Sequence, residues 1–388
     1  MFKIKCLNPI SSYGLNLLTS QYELVDDVNE AQGILVRSAA MHDMDLPKSL
    51  QAVARAGAGV NNIPLDKCAE KGIVVFNTPG ANANGVKELV LAGLLLGARD
   101  IAGGISWCKN NASDPNISKN MEKAKKQFAG NEIKGKTLSV VGLGAIGILV
   151  ANAAVELGMK VIGYDPYISI KSALHLSTHV RVVETLEDAA READFLSVHV
   201  PLMESTKGMI NKDLMAMMKD GVVILNFARD LLVNDDDLNA AIEAGKVKRY
   251  VTDFPNPKTA NMKNVVALPH LGASTEESED NCAIMAVNQM MDYLENGNIV
   301  NSVNYPNCNM GPIRGKARIC VFNQNVPNMI GQFASVLASC GVNIPSMLNQ
   351  SKGNLAYTLL DSDQEIDDAV IAKLEAIPEV FKVRVIRK

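Results

Sequence analysis

The stretch Val140-Val-Gly-Leu-Gly-Ala-Ile-Gly147 decides how this chain folds. A strand-like run, Leu138 to Val141, leads into it and a helical pattern, Ile146 to Leu157, leads out, so a G-x-G-x-x-G sits on a strand-to-helix turn. Gly142 permits the tight turn, Gly144 lets the backbone approach a pyrophosphate, and Gly147 lets helix and strand pack closely. The unpaired amides of the first helical turn, at Ala145 and Ile146, face the phosphates. The next strand, Lys160 to Tyr164, runs into Asp165. A carboxylate there accepts both ribose hydroxyls and repels a 2′-phosphate, which favours NAD over NADP.

Outward from this turn the chain continues as an α/β series. Strand-like runs recur at Phe195 to His199, Val222 to Asn226, Arg249 to Thr252 and Val265 to Leu268, which predicts a doubly wound sheet. The first hundred residues show the same alternation, with strands at Ile4 to Leu7, Gly33 to Val36 and Ile73 to Phe76. Val86 to Lys109 is helical and apolar on nearly every side, so it is expected to be buried all round, at a domain junction, at a subunit contact or inside one chain. Glu276 to Glu295 has helical spacing, and the loop residues Pro306, Asn307, Asn309, Gly311, Pro312 and Gly315 mark a boundary. The tail from Ala317 reads βαββαβ, a compact antiparallel sheet with two helices on one face.

Composition narrows the function classes. The 388 residues suggest two or three domains, and 47% hydrophobic with 21% charged residues is a globular balance. The longest apolar run, Val86 to Ala98, is broken by Lys87, Glu88, Gly93 and Gly97, so no membrane segment is expected. The N-terminus lacks the pattern of a signal peptide, and a cytoplasmic location is expected. Seven dispersed cysteines, none in Cys-x-x-Cys, predict reduced thiols and no metal site. A net charge of −4 with interleaved signs offers no face for nucleic acid, and the expected partner is a small anion.

Three residues fall just beyond strands of the second series: Arg229 in Leu225-Asn-Phe-Ala-Arg-Asp230, Asp253 in Thr252-Asp-Phe, and His270 in Leu268-Pro-His-Leu-Gly-Ala-Ser-Thr275. Open α/β sheets bind ligands at that carboxyl edge. Taken alone, His270 reads first as a structural core ring, with a metal ligand or a proton shuttle as the other readings.

With Arg55-Ala-Gly-Ala-Gly-Val-Asn-Asn-Ile-Pro64 and Val36-Arg-Ser38, these motifs resemble the D-isomer-specific 2-hydroxyacid dehydrogenases over nearly the whole chain. The resemblance implies a Rossmann-type NAD domain, 98–273, inserted into a smaller flavodoxin-like substrate domain, 1–97 with 274–305. A linker, 306–316, and an ACT-like regulatory domain, 317–388, would follow. It implies that His270 moves the hydroxyl proton and Arg229 holds the substrate carboxylate, with NAD held also by Pro201, Thr206, Ala228, Asp253 and Gly272. Backbone amides from Ala58 to Val60, Gly59 included, and Ser38 would help bind substrate. Arg37 and Arg55, with Lys87 third, would take the phosphate of 3-phosphoglycerate, the acid oxidised at the start of L-serine synthesis. Glyoxylate or hydroxypyruvate reduction and an NAD-sensing corepressor are the rival readings. The family pairs its histidine with a glutamate, but Asp253-Phe-Pro-Asn-Pro-Lys258 has no acid in that place, so His270 would act without it or with another carboxylate. The usual glycine after the arginine is Asp230, whose carboxylate would compete for Arg229. The family dimerises through the helix at Val86 to Lys109, which implies a homodimer or homotetramer. In the tail, the segment with Asn323 and Asn325 and the later Asn343 resembles an ACT ligand loop and its opposing asparagine, with Asn323 in place of the usual histidine and Asn328 of the usual glycine; this implies L-serine as effector, with assembly alone as the other reading.

Overall fold

Alternating apolar runs and helical segments close into three sheets. The structure, a computed structural model, describes residues 1–388, the side chain of Lys171 apart. The chain divides into two units, Met1–Ala81 with Glu279–Lys388, and Asn82–Ser278.

In the first unit, β1 (Phe2–Cys6), β2 (Tyr22–Leu24), β3 (Gly33–Val36), β4 (Ala52–Arg55) and β5 (Val74–Phe76) form a parallel sheet ordered β2-β1-β3-β4-β5, the flavodoxin-like order. The strands β2, Tyr-Glu-Leu, and β4, Ala-Val-Ala-Arg, are not among those the pattern predicts, because a charged residue in each and the alanines of β4 dilute the strand signal. Helix Glu276–Asn296 buries Ala286, Val287, Met290, Tyr293 and Leu294 against Ile4, Leu35 and Phe76. Those positions recur at helical spacing, so one face supplies the core and the other stays wet.

The second unit holds β6 (Thr137–Val141), β7 (Lys160–Tyr164), β8 (Val180–Val182), β9 (Phe195–Val198), β10 (Val222–Asn226), β11 (Val247–Thr252) and β12 (Val265–Ala267). They run parallel in the order β12-β11-β10-β9-β6-β7-β8, a doubly wound sheet whose direction of winding reverses between β6 and β9. Central strands such as β6 and β10 are buried at every residue because helices cover both faces, which is why they read as unbroken apolar runs.

The helix expected over Val86 to Lys109 is two helices, Ala83–Ala98 and Ile101–Asn110, bent by 72°. Arg99 is extended, and Asp100 caps the second helix by accepting the Gly103 N–H at 3.2 Å, so the chain restarts there. Only the first helix is deeply packed. Gly93 and Gly97 bring it so close to Phe227 and Val223 that a Cβ at either would come within 2.6 Å of those side chains. The second buries none of its residues within the single chain, so burial inside one chain does not extend to it. This packing on the second sheet puts the division of the chain at residue 82 and not at the expected 98. No single helix among the described residues is long and apolar enough to cross a membrane.

The tail forms the antiparallel sheet expected of it: β13 (Ala317–Gln324), β14 (Ser346–Lys352), β15 (Leu355–Ser362) and β16 (Val380–Arg387), ordered β14-β15-β13-β16. Phe333, Leu337, Val370 and Leu374, from two helices, cover one face. The other face does not stand free behind a linker. Cys320, Phe322, Tyr357 and Leu359 pack against Phe76, Tyr293 and Tyr305 in one core, so the tail and the first 81 residues form one unit. Polar contacts fix this docking. Arg384 donates to Tyr293 O and Leu294 O at the end of the long helix with its guanidinium 5.0 Å from the Tyr293 ring centroid, and Tyr357 Oη donates to Gly297 O at 2.7 Å. Arg318, with no exposed surface, makes a two-pronged pair with Asp361 at 2.6 and 3.0 Å and donates to Asn296 O and Gly311 O.

Candidate active site

The glycine turn after β6 has the geometry its spacing demands. Gly142 stands at φ +95°, and a Cβ on it would lie 2.7 Å from His199 O, while a Cβ on Gly147 would lie 1.9 Å from Gly142 O. Gly144 caps helix Ala145–Glu156 and faces open space, so nothing blocks an anion from the first-turn amides of Ala145 and Ile146. Asp165, half-buried, accepts from Leu143 N at 2.9 Å and Tyr167 N at 2.8 Å. Those bonds fix the carboxylate and leave lone pairs for hydroxyl donors. In the loop after β9, Thr206 Oγ1 donates to Pro201 O at 2.7 Å, which fastens the two residues together.

At the carboxyl ends of β10, β11 and β12 the structure brings Arg229, Asp253 and His270 together around one ring. Phe254 lies with its ring centroid 4.5 Å from that of His270 and 5.6 Å from the Arg229 guanidinium. Buried Asn226 builds the turn that carries Arg229, accepting from Ala228 N at 3.2 Å and donating to Arg229 O at 2.8 Å. The Arg229 guanidinium donates to Ala228 O at 2.6 Å and is otherwise exposed. The feared pair with Asp230 is not made: the Asp230 carboxylate is held by Asn256.

His270 is exposed and sits at φ +43°, a left-handed conformation uncommon for a side chain with a Cβ. Its N–H donates to Asp253 O at 2.9 Å, which holds the strained backbone. It makes no ion pair with a carboxylate among the described residues. Asp253 is 1% exposed; its Oδ2 accepts from Gly272 N at 3.0 Å and its Oδ1 has no partner. Burial pushes its carboxyl above the usual carboxylate range, opposed by the Gly272 N–H and by the nearby His270 and Arg229. A buried unpaired acceptor fits an amide donor of a bound nicotinamide, and the open glycine turn fits its pyrophosphate.

The first unit groups Arg37 and Arg55. Arg55 Nε donates to Arg37 O at 3.0 Å, and burial, then the neighbouring Arg37, lower its pKa. Asn8 Oδ1 accepts from the N–H groups of Arg37, Ser38 and Ala39, shaping the loop that presents them. Exposed Ala58 and half-buried Gly59 lie in the glycine loop after β4, which Asn77 braces by donating to Ala58 O at 2.7 Å. Arg37 is paired with Glu279. Lys87 belongs to the second unit, where Asn84 Oδ1 accepts from it at 2.6 Å and Glu88 stands at 3.8 Å.

In the tail, Asn325 and Asn343 are exposed, while Asn323 is buried with Oδ1 unpartnered and Nδ2 on Gln324 O. Asn8, Asn226 and Asn256 were not singled out from sequence, and neither was His199, which follows β9. Burial pushes the His199 imidazole down to about 4, so it is neutral at pH 7, with one nitrogen 2.8 Å from Ser197 Oγ and Nδ1 unpartnered. A histidine or asparagine just past a strand was the available signal, and only the fold says which strand ends converge.

Residues 92–272 match the family described as D-isomer specific 2-hydroxyacid dehydrogenase, NAD binding domain. The chain is 33% identical over 313 residues to the D-3-phosphoglycerate dehydrogenase of Methanocaldococcus jannaschii, covering 78% of this chain and 57% of that one. It is 38% identical over 284 residues to the hydroxypyruvate reductase of Thermotoga maritima, covering 70% and 88%. An NAD+-bound 3-phosphoglycerate dehydrogenase of Entamoeba histolytica superposes with a TM-score of 0.59 at 28% identity, covering 78% of this chain and 98% of that one.

Proposed function

The chain belongs to the D-isomer-specific 2-hydroxyacid dehydrogenase family, and from that premise we propose that it oxidises 3-phospho-D-glycerate to 3-phosphohydroxypyruvate with NAD, the first step of L-serine synthesis. The observation that carries the phosphorylated substrate is that Arg55 reaches the Arg37 backbone with its Nε and feels the Arg37 charge, beside a glycine-rich loop in the first unit. Two adjacent guanidiniums match a phosphate dianion and would be superfluous for lactate.

Arg229 binds the C1 carboxylate with its free fork and draws charge onto the carbonyl oxygen as it forms. His270 accepts the hydroxyl proton, and returns it in the reverse direction. Its strained backbone and the Phe254 ring limit where the imidazole can point. Gly142, Gly144, Gly147, Asp165 and Asp253 would hold the dinucleotide, which supplies the two-electron acceptor. Arg37 must exchange Glu279 for the phosphate, so the phosphate has to outcompete a carboxylate already in place.

A second reading, reduction of unphosphorylated 2-oxo acids such as glyoxylate or hydroxypyruvate, is favoured by that same Arg37–Glu279 pair, which leaves one free guanidinium. NADH formation from 3-phospho-D-glycerate, D-glycerate and D-lactate separates the two, in wild type and Arg55→Ala. A strong preference for the phosphorylated acid that Arg55→Ala abolishes is expected; equal use of the unphosphorylated acids would overturn the first reading.

A further inference from the structure

We propose that Asn256 is a positioning residue that keeps the Asp230 carboxylate off Arg229 and so keeps the guanidinium open for the carboxylate of a 2-hydroxy acid; this rests on the role given to Arg229 above. Opposite charges stand side by side at 229 and 230. A carboxylate free to reach a guanidinium pairs with it, yet Asp230 is engaged elsewhere.

Asn256 Nδ2 donates to Asp230 Oδ1 at 2.9 Å and to Asp235 Oδ2 at 2.8 Å. A side-chain amide has two N–H bonds, and here each is taken by a carboxylate. The amide is itself immobilised: its Oδ1 accepts from Lys258 N at 2.8 Å and Thr259 N at 2.9 Å, and its backbone N–H donates to Thr259 Oγ1 at 3.0 Å. Asp230 and Asp235 repel each other, and burial already pushes Asp230 above the usual carboxylate range. A neutral double donor can hold both where an aspartate would add a third negative charge and donate nothing. Phe254, two residues earlier on the same loop, lies 5.6 Å from the Arg229 guanidinium. One short loop therefore supplies both the ring that Arg229 rests on and the amide that removes its competitor.

The test is a cycle of Asn256→Ala, Asp230→Asn and the double variant in the full chain with NAD, on whichever 2-hydroxy acid wild type turns over. Asn256→Ala should raise KM for the acid about fivefold, the scale of a partly exposed ion pair, with kcat and the KM for NAD changed by less than about twofold. Asp230→Asn alone should change little, and the double variant should recover the wild-type KM, because the competitor is gone. A KM defect that persists in the double variant, or an Asn256→Ala KM equal to wild type, overturns the proposal. Wild type inactive on every 2-hydroxy and 2-oxo acid tried would instead remove the role of Arg229 on which it rests.

Discussion

Replacing Asp253 by asparagine tests the cofactor site without disturbing its shape. In the native chain the buried carboxylate gives Oδ2 to the Gly272 N–H and leaves Oδ1 unpaired. Gly272 needs an acceptor, so the asparagine oxygen must take the Oδ2 place and its NH2 must face the place of Oδ1. A donor then confronts the nicotinamide amide donor. Losing one hydrogen bond to a charged acceptor costs about 1.5–3 kcal/mol, or roughly 10- to 150-fold in Kd. Fluorescence titration with NADH reads this directly.

The pH dependence adds a second signature. Because burial raises the Asp253 pKa, wild-type affinity should start to fall, as pH drops, above the range of an ordinary carboxylate, and the asparagine variant should lack that limb. Stability has the opposite sign. A carboxyl whose folded pKa is raised favours the folded state below its unfolded pKa, and that contribution is lost as pH rises through the folded value. At pH 7 the native carboxylate is therefore a burden, and Asp253→Asn should melt at or above the wild-type temperature. A Kd within about twofold of wild type with the acid limb intact would refute the assignment; a lower melting temperature would refute the electrostatic reasoning.

Two further outcomes concern the docked tail. Arg318→Leu leaves Asp361 buried without its partner and should cost about 3–5 kcal/mol in urea unfolding, whereas Arg318→Leu with Asp361→Leu should recover much of it; a single variant as stable as wild type would mean the pair is solvated. Lys382 lies under the docked sheet with its ammonium on Leu50 O and Gly72 O, and burial lowers its pKa from 10.5 to about 8. The unfolded chain binds the extra proton between those values, so this lysine's contribution to stability should grow as pH rises from about 8 to 10.5. In Lys382→Met that rise should be missing from the pH profile of unfolding free energy, and an unchanged profile would contradict it.

Much of this protein was written in short-range pattern. The glycine spacing from 142 to 147 is largely a statement about local backbone, since Gly142 makes a turn at φ +95° and Gly147 clears Gly142 O, and it carried the doubly wound sheet with it. The strand ends at Arg229, Asp253 and His270 followed, because a parallel sheet puts every such end on one edge. Tertiary structure decided the matters in which distant segments choose partners. The bend after Ala98 depends on an Asp100 cap and on glycines pressed against another strand, which periodicity does not register. The open face of the tail sheet reads as an ordinary apolar strand face, yet Phe76, Tyr293 and Tyr305 cover it, and Arg384 and Tyr357 fasten it to the end of the long helix. Asn8, Asn256 and His199 look like loop polars until folding shows which groups they satisfy. Sequence spacing encodes the conformation of the backbone, while the partner of a buried donor or charge is set by which surfaces meet, and only the folded chain brings those surfaces together.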